Sequence, residues 1–312
     1  MQDLEKAILK TIIYFDIFNY PLTLPEIHQW LGMKIDSGDL KNILEQSEFL
    51  RNKISRKEGF YFLNGRENII EIRKQRNQIS QRKIKKAKKI CQWLLFFNPF
   101  IKGIAICNDL GYLNAHGESD IDLFIITRKN RIWLARFFLT LPLKIFGLRP
   151  TKKNKKDKIC LSFFIAEDNL NLEKIKLEDK EGAPDIYFIY WLVQLLPIYG
   201  EENIWQEFYQ ANDWLKNYLP NFEFKELNEK IKLPKISMII RNFFRQPRLC
   251  SINGFFEKFY KFIQLKILPR ELKEKANQNT DIMITDKILK LHCPDKRELY
   301  QTAFLDKIKQ SL

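Results

Sequence analysis

Residues 119–127 read Ser-Asp-Ile-Asp-Leu-Phe-Ile-Ile-Thr. Two carboxylates stand two positions apart at the head of an apolar run, and a short apolar run of this kind fits a buried strand. Strand side chains alternate between faces with a period of two, so Asp120 and Asp122 project side by side from one face. Phe124 and Ile126 follow on that face, which puts the acids at the strand's mouth. Adjacent carboxylates repel unless a cation shares them, and their oxygens suit a hard divalent ion such as Mg2+ or Mn2+.

The flanks narrow the architecture. IKGIAIC (101–107) reads as a buried strand, and DLGYLNA as a short helix with Asn108 or Asp109 as its cap. His116-Gly117-Glu118-Ser119 forms a polar turn. After the acidic strand, NRIWLARFFLTLPLKIFG reads as a helix, the Lys-rich TKKNKKDK as a loop, and ICLSFFIA (159–166) as a third strand.

This order of strand, short helix, turn, Asp-x-Asp and strand resembles the polymerase-beta-like nucleotidyltransferase superfamily, over residues 99–168 and, with the helical tail, over 99–312. The resemblance implies an α+β fold with a small mixed sheet. It also implies transfer of a nucleoside monophosphate from an NTP to a hydroxyl acceptor, with Mg2+ or Mn2+ on Asp120 and Asp122 as the catalytic pair. Asn108 and Asp109 fall where the family carries Gly-Ser, whose helix N-terminus donates to the triphosphate. Asn108 crowds that approach. Asp109 places a negative charge there, to cap the helix or to join the metals, and Gly111 nearby offers room. Ser119 and Lys129 complete the nucleotide-binding set, and Arg131 and Arg136 lie close behind Lys129. The family's third carboxylate belongs on the neighbouring strand, where Cys160, Ser162 and Phe164 are in phase and none is acidic. Asp157 precedes that strand, Glu167 and Asp168 follow it, and Ser162 stands as a weak metal ligand. These departures give a second reading, a catalytically degenerate nucleotidyltransferase-fold protein that binds nucleic acid or a protein partner.

Residues 1–65 read as a separate unit. Leu4, Ile8, Ile12 and Phe15 share one helical face, Thr23-Leu24-Pro25-Glu26 is a capping box opening a second helix, and a third follows at DLKNILEQSEFL. KISRKEGFYFLNG is a hairpin turning at Glu58-Gly59. The unit resembles a winged helix-turn-helix domain, but Asp36, Asp39, Glu45 and Glu48 on the third helix would repel DNA phosphates, which favours packing or protein contact. Residues 66–98 form a linker helix whose segment 73–90 is dense in Lys and Arg. That segment offers either a solvated face or a ridge for a polynucleotide. Residues 169–312 read as a helical C-terminal domain.

Lys and Arg number 53 against 38 Asp and Glu, a net charge of +15 that points to an acidic partner. The five cysteines, Cys91, Cys107, Cys160, Cys250 and Cys293, form no CxxC pair and fit a reducing cytoplasm. IWLARFFLTLPLKIFGL (132–148) and IYFIYWLVQLLPIYG (186–200) are apolar, but charge in the first and length in the second favour buried helices over a span. Peripheral membrane contact stays open.

Overall fold

The computed structural model describes residues 2–180, 182–224, 230–244 and 246–311, without the side chains of 247–252. The chain opens with α1 (Gln2–Asp16), β1 (Leu22–Thr23), α2 (Leu24–Trp30), α3 (Ser37–Gln46) and α4 (Glu48–Arg51). The hairpin of β2 (Ile54–Lys57) and β3 (Phe60–Leu63) follows. The Glu26 carboxylate reaches back to the Thr23 amide at 2.8 Å, as the capping box requires. Glu58 and Gly59 adopt φ of 54° and 80°, the left-handed pair that a two-residue hairpin turn demands. The expected third helix is broken in two, because Ser47 turns extended and its hydroxyl caps α4 by accepting from the Leu50 amide. The three short strands form one antiparallel sheet in the order β1-β3-β2.

The linker helix α5 (Ile69–Phe97) runs as one piece of 29 residues. Its basic residues divide. Arg73 makes a two-toothed ion pair with Glu26, both contacts at 2.8 Å, and Arg76 donates to the Phe18 carbonyl and to Asn114. Lys83 is buried. Arg82, Lys85, Lys86 and Lys89 remain on the exposed side. Much of the charge that suggested a polynucleotide ridge therefore stitches α5 to its own neighbours.

The rest of the chain builds a six-stranded mixed sheet. Its elements in order are β4 (Ile101–Ile106), β5 (Ile121–Thr127), α6 (Ile132–Ile145), β6 (Ile159–Ala166), α7 (Ile186–Val193), β7 (Leu196–Gly200), α8 (Ile204–Ala211), α9 (Lys235–Phe244), α10 (Pro247–Ile267), α11 (Arg270–Lys275), β8 (Met283–Ile284), β9 (Ile288–Lys290) and α12 (Arg297–Ser311). The strand order is β7-β4-β5-β6-β9-β8, with β5 and β6 parallel and every other neighbour pair antiparallel. The protein is thus α+β with a mixed sheet. Residues 169–312, expected to be helical, supply three of the six strands. The run 186–200, read as one buried helix, divides into α7 and β7 because Pro197 and the β-prone Ile198-Tyr199 pair with β4.

Both sheet faces are covered. Ile104, Leu123, Ile125 and Phe164 pack toward α5 and α6. Ala105, Phe124, Ile126 and Phe163 join a core that runs on through α7 and α8 into α1 and α2. The first sixty-odd residues are thus cemented to the sheet through shared apolar side chains such as Tyr14, Phe15 and Tyr190. The C-terminal helix completes this layer. Phe304 meets Tyr14 edge-on, Lys307 bonds Asp16, and Lys53 bonds the Ser311 carbonyl. Cys91, Cys107, Cys160 and Cys293 are free thiols, and the Cys250 side chain lies outside the described residues.

Candidate functional site

β5 and β6 are parallel and register Asp122 against Cys160. Both side chains therefore emerge on the same face at the N-terminal mouth of the sheet. One ligand atom each from Asp120, Asp122 and Cys160 lie within 4.8 Å of one another. The next registered pair is Phe124 with Phe163, so β6 carries one extra residue between them. A bulge of this kind re-aims a side chain, and here it lets Ser162 line the adjoining pocket.

Asp122 is 9% exposed, and its Oδ1 has no hydrogen-bond partner. A buried carboxylate oxygen left bare costs free energy unless a proton or cation meets it. Burial first, then the Asp120 charge, raises the Asp122 pKa, and nearby His292 opposes the shift. Burial, followed by the Asp122 and Asp120 charges, pushes the Cys160 thiol well up. Arg149 lies where the charges of Cys160 and Asp120 act on it, and its Nη1 has no hydrogen-bond partner. The donor set fits a divalent ion. Asp120 and Asp122 supply hard oxygens and Asp122 has an oxygen to spare, while Cys160 stands third where the resemblance implies a carboxylate.

Beside the acids lies a pocket of about 70 Å³ walled by Phe163, Phe188 and Trp191, and rimmed by Lys290, His292, Lys296 and Arg297. Trp191 stacks on Phe163 at 5.2 Å and on Phe188 at 5.9 Å. The rim's cations are not equivalent. Lys290 bonds the Thr280 and Asp281 carbonyls and Asp295, and Arg297 bonds Asp295, Asp281 and the Ile175 carbonyl. Those two charges are spent on holding the rim together. Among the described residues no side-chain hydrogen bond or ion pair engages Lys296 or His292, though the first acts on the Asp109 charge and the second on that of Asp122.

The other expected residues fall as follows. Asn108 sits at φ 56° at the start of a short 3-10 turn (Asn108–Leu110), and its Oδ1 accepts from Trp191 Nε1 at 2.8 Å. It faces the pocket. Asp109 neither caps that turn nor joins the metal cluster. It is turned into a separate buried recess beside Tyr112, whose hydroxyl donates to it, and burial raises its pKa. That recess shares Asn108, Tyr187 and Trp191 with the pocket, and the Asp109 charge acts on Lys296 at the pocket rim. Ser119 Oγ is spent on the His116 carbonyl. Lys129 follows the far end of β5, about 23 Å or more from the acids by strand rise, and pairs there with Asp168 at 3.8 Å. Glu167 lies at the same far end, beside Lys102. Arg136 is buried in α6 and bonds Gln264. Asp157 near the mouth is paired with Lys83 and Lys86. None of these three acids reaches the cluster. Gly111 leaves space for protein, since a Cβ there would meet the Gln194 carbonyl at 2.5 Å.

Two positioning features escaped the sequence. Lys83 Nζ donates to the carbonyls of Gly117 and Ser119 at 3.1 and 2.7 Å and to Asp157 Oδ1 at 2.6 Å, so it clamps the turn that delivers Asp120. The segment 290–297 reaches the mouth because β9 runs antiparallel to β6, with Leu291 N donating to Ser162 O. The Lys-Arg density of α5 was the one available signal for Lys83. No local signal marked the C-terminal rim. Compared with protein-family models, with curated proteins and with solved structures, the chain matches none.

Proposed function

We propose that the protein is a metal-dependent nucleotidyltransferase that moves a nucleoside monophosphate from an NTP to a hydroxyl acceptor. One observation carries the reading: buried Asp122, with a bare Oδ1, stands beside Asp120 and bonds Asn108, which lines a pocket with an aromatic wall and a lysine on its rim. Asp120 and Asp122 would hold Mg2+ or Mn2+. When bound, such an ion supplies Lewis-acid polarisation of a phosphoryl oxygen. Trp191 and Phe163 offer flat apolar surface to a base, Lys296 offers charge to phosphate oxygens, and His292 offers a ring nitrogen. Asn108 accepts from Trp191 and bonds Asp122, which ties the pocket to the acids. Arg149 lies within reach of the Asp120 and Cys160 charges and has a guanidinium nitrogen to spend. The mixed sheet order and the Asp-x-Asp at a strand mouth support the nucleotidyltransferase-like arrangement. The helices and hairpin of residues 1–65 support the winged-helix-like one. Burial of α1 and α2 against the sheet favours a packing role for that unit over DNA reading.

A second reading, nucleotide binding without transfer, is favoured by Cys160. A neutral thiol there cannot take the hydroxyl proton as a carboxylate would. One experiment separates the two. The protein is incubated with each labelled NTP, Mg2+ or Mn2+, and mixed RNA and DNA acceptors, beside an Asp120→Asn/Asp122→Asn control, and NTP binding is followed by calorimetry. Label incorporation that the control loses supports transfer. Metal-dependent NTP binding without incorporation supports the second reading. Absence of both metal and NTP binding refutes the site.

A further inference from the structure

α9 and α10 are inside out. On α10 the inward stripe sets polar groups beside Tyr260 and Leu265, which pack on the core. Glu257 accepts from the Trp133 and Leu134 amides at 2.8 Å each, capping α6, Gln264 Nε2 donates to the Trp133 carbonyl, and Asn253 donates to the Phe244 carbonyl. The opposite stripe is Phe255, Phe259 and Phe262, exposed by 67, 46 and 58%. On α9, fully buried Arg241 donates to the carbonyls of Leu95, Asn98 and Ile101, while Ile236, Ile239 and Phe243 point outward. These buried bonds fix the orientation, because turning either helix over would leave the Trp133 and Leu134 amides, or the Leu95, Asn98 and Ile101 carbonyls, buried without their partners. Phe146, just past α6, and Trp93 of α5 are exposed as well and meet at 5.2 Å.

Water is a poor partner for such a face. Scattered apolar residues are ordinary on a surface, but a contiguous patch marks an interface. The charges say which kind. Between residues 235 and 268 the sole acidic residue is Glu257, and it is turned inward. Lys258 and Lys266 are exposed on the same helix, and the Lys266 ammonium lies 4.3 Å over the Phe262 ring with its stem along the apolar stripe. A helix with aromatic groups on its outer face, flanking lysines and no exposed acid is the pattern of one lying in a membrane interface. Among the described residues no helix is long and apolar enough to cross a membrane. A second copy of the chain, docked by a two-fold axis, would set lysines against lysines.

We propose that α9 and α10, with the adjoining ends of α5 and α6, dock the protein flat on an anionic lipid bilayer. The aromatic stripes enter the acyl boundary and the lysines meet the headgroups.

The test is co-sedimentation of the full chain with phosphatidylcholine vesicles, with and without phosphatidylglycerol. Wild type binds the mixed vesicles and binds pure phosphatidylcholine more weakly. Combining Phe255→Ser, Phe259→Ser and Phe262→Ser lowers partitioning about 100-fold, as loss of roughly 1 kcal/mol per half-buried ring would. Lys258→Gln with Lys266→Gln keeps the apolar face and lowers binding to the mixed vesicles about fivefold per lysine. If wild type stays unbound, or if neither variant changes partitioning, the proposal is overturned. It is equally overturned if sedimentation equilibrium shows a wild-type dimer that the serine variant dissolves while wild type ignores vesicles. That result would assign the face to a second copy.

Discussion

Lys83→Met tests how the fold aims the acid pair. The substitution keeps the apolar stem that crosses the core and deletes an ammonium bonded to Gly117 O, Ser119 O and Asp157 Oδ1. A hydrogen bond to a charged group contributes about 1.5–3 kcal/mol. The Asp157 side chain is about a third exposed and keeps Lys86 at 3.6 Å, so that contact is discounted. The two carbonyls are half-buried and recover water in part. One full bond and two partial ones give a loss of about 3 kcal/mol, or about 5 °C in Tm for a chain of this size. The loss is pH-dependent. Burial alone would raise the Asp157 pKa, but Lys83 and Lys86 outweigh it and hold the carboxyl below its ordinary value. A depressed folded pKa contributes stability above the unfolded pKa that is lost as pH falls through the folded one. The wild type should show that acid-side loss, and Lys83→Met should flatten it. Calorimetric melts across the acid range read this, beside exposed Arg82→Met as control. Mn2+ titration of the same variants reads the aim of Asp120, with weaker affinity expected for Lys83→Met alone. Equal melts and equal Mn2+ affinities in the two variants would refute the clamp.

Other outcomes follow from named contacts. Glu257, pushed by burial to about 7, binds more protons folded than unfolded. Stability should therefore fall as pH rises from about 4.5 to about 7, by about 3 kcal/mol, and urea unfolding of Glu257→Gln should lose that slope. Gly111→Ala drives a methyl group to 2.5 Å from the Gln194 carbonyl and should cost about 2 kcal/mol or more in thermal unfolding. Because burial and Asp120 raise the Asp122 pKa, Mn2+ affinity should weaken as pH is lowered, starting above the usual carboxylate range. Calorimetry on Asp120→Asn should show weaker binding whose pH dependence begins lower. Trp191→Ala removes the ring stacked on Phe163 and the anchor of Asn108, and should weaken NTP binding about tenfold in the same calorimeter.

What the sequence disclosed was local. The period-two acids, the hairpin at Glu58-Gly59 and the capping box at Thr23 are each decided within a few residues, and each formed. Cys160 was in phase on paper, but its meeting with Asp122 depends on parallel pairing, and Ser162 depends on a bulge that no residue type announces. The rim from Lys290 to Arg297 reaches the site across more than 160 residues through β9. The apolar spacing of residues 235–268 is helical, and both α9 and α10 formed. Periodicity reports that a helix has two faces and leaves open which of them is inside. Arg241 and Glu257 decide that by finding backbone partners the pattern could not reveal. Lys129 misled for a similar reason, since proximity in sequence to a short strand becomes its full length in space.

The seam between α1 and α12 has a consequence for how the chain is made. Lys307 reaches back across 291 positions to Asp16, so a helix synthesised early has part of its docking partner delivered near the end of the described chain. Until then the aromatic side of α1 around Tyr14 and Phe18 stands partly unclothed, and closing so long a loop is slow. A nascent chain of this design exposes sticky surface for most of its synthesis. Chaperone dependence should therefore track arrival of α12, and ribosome-stalled chains ending before residue 297 should stay protease-sensitive in α1.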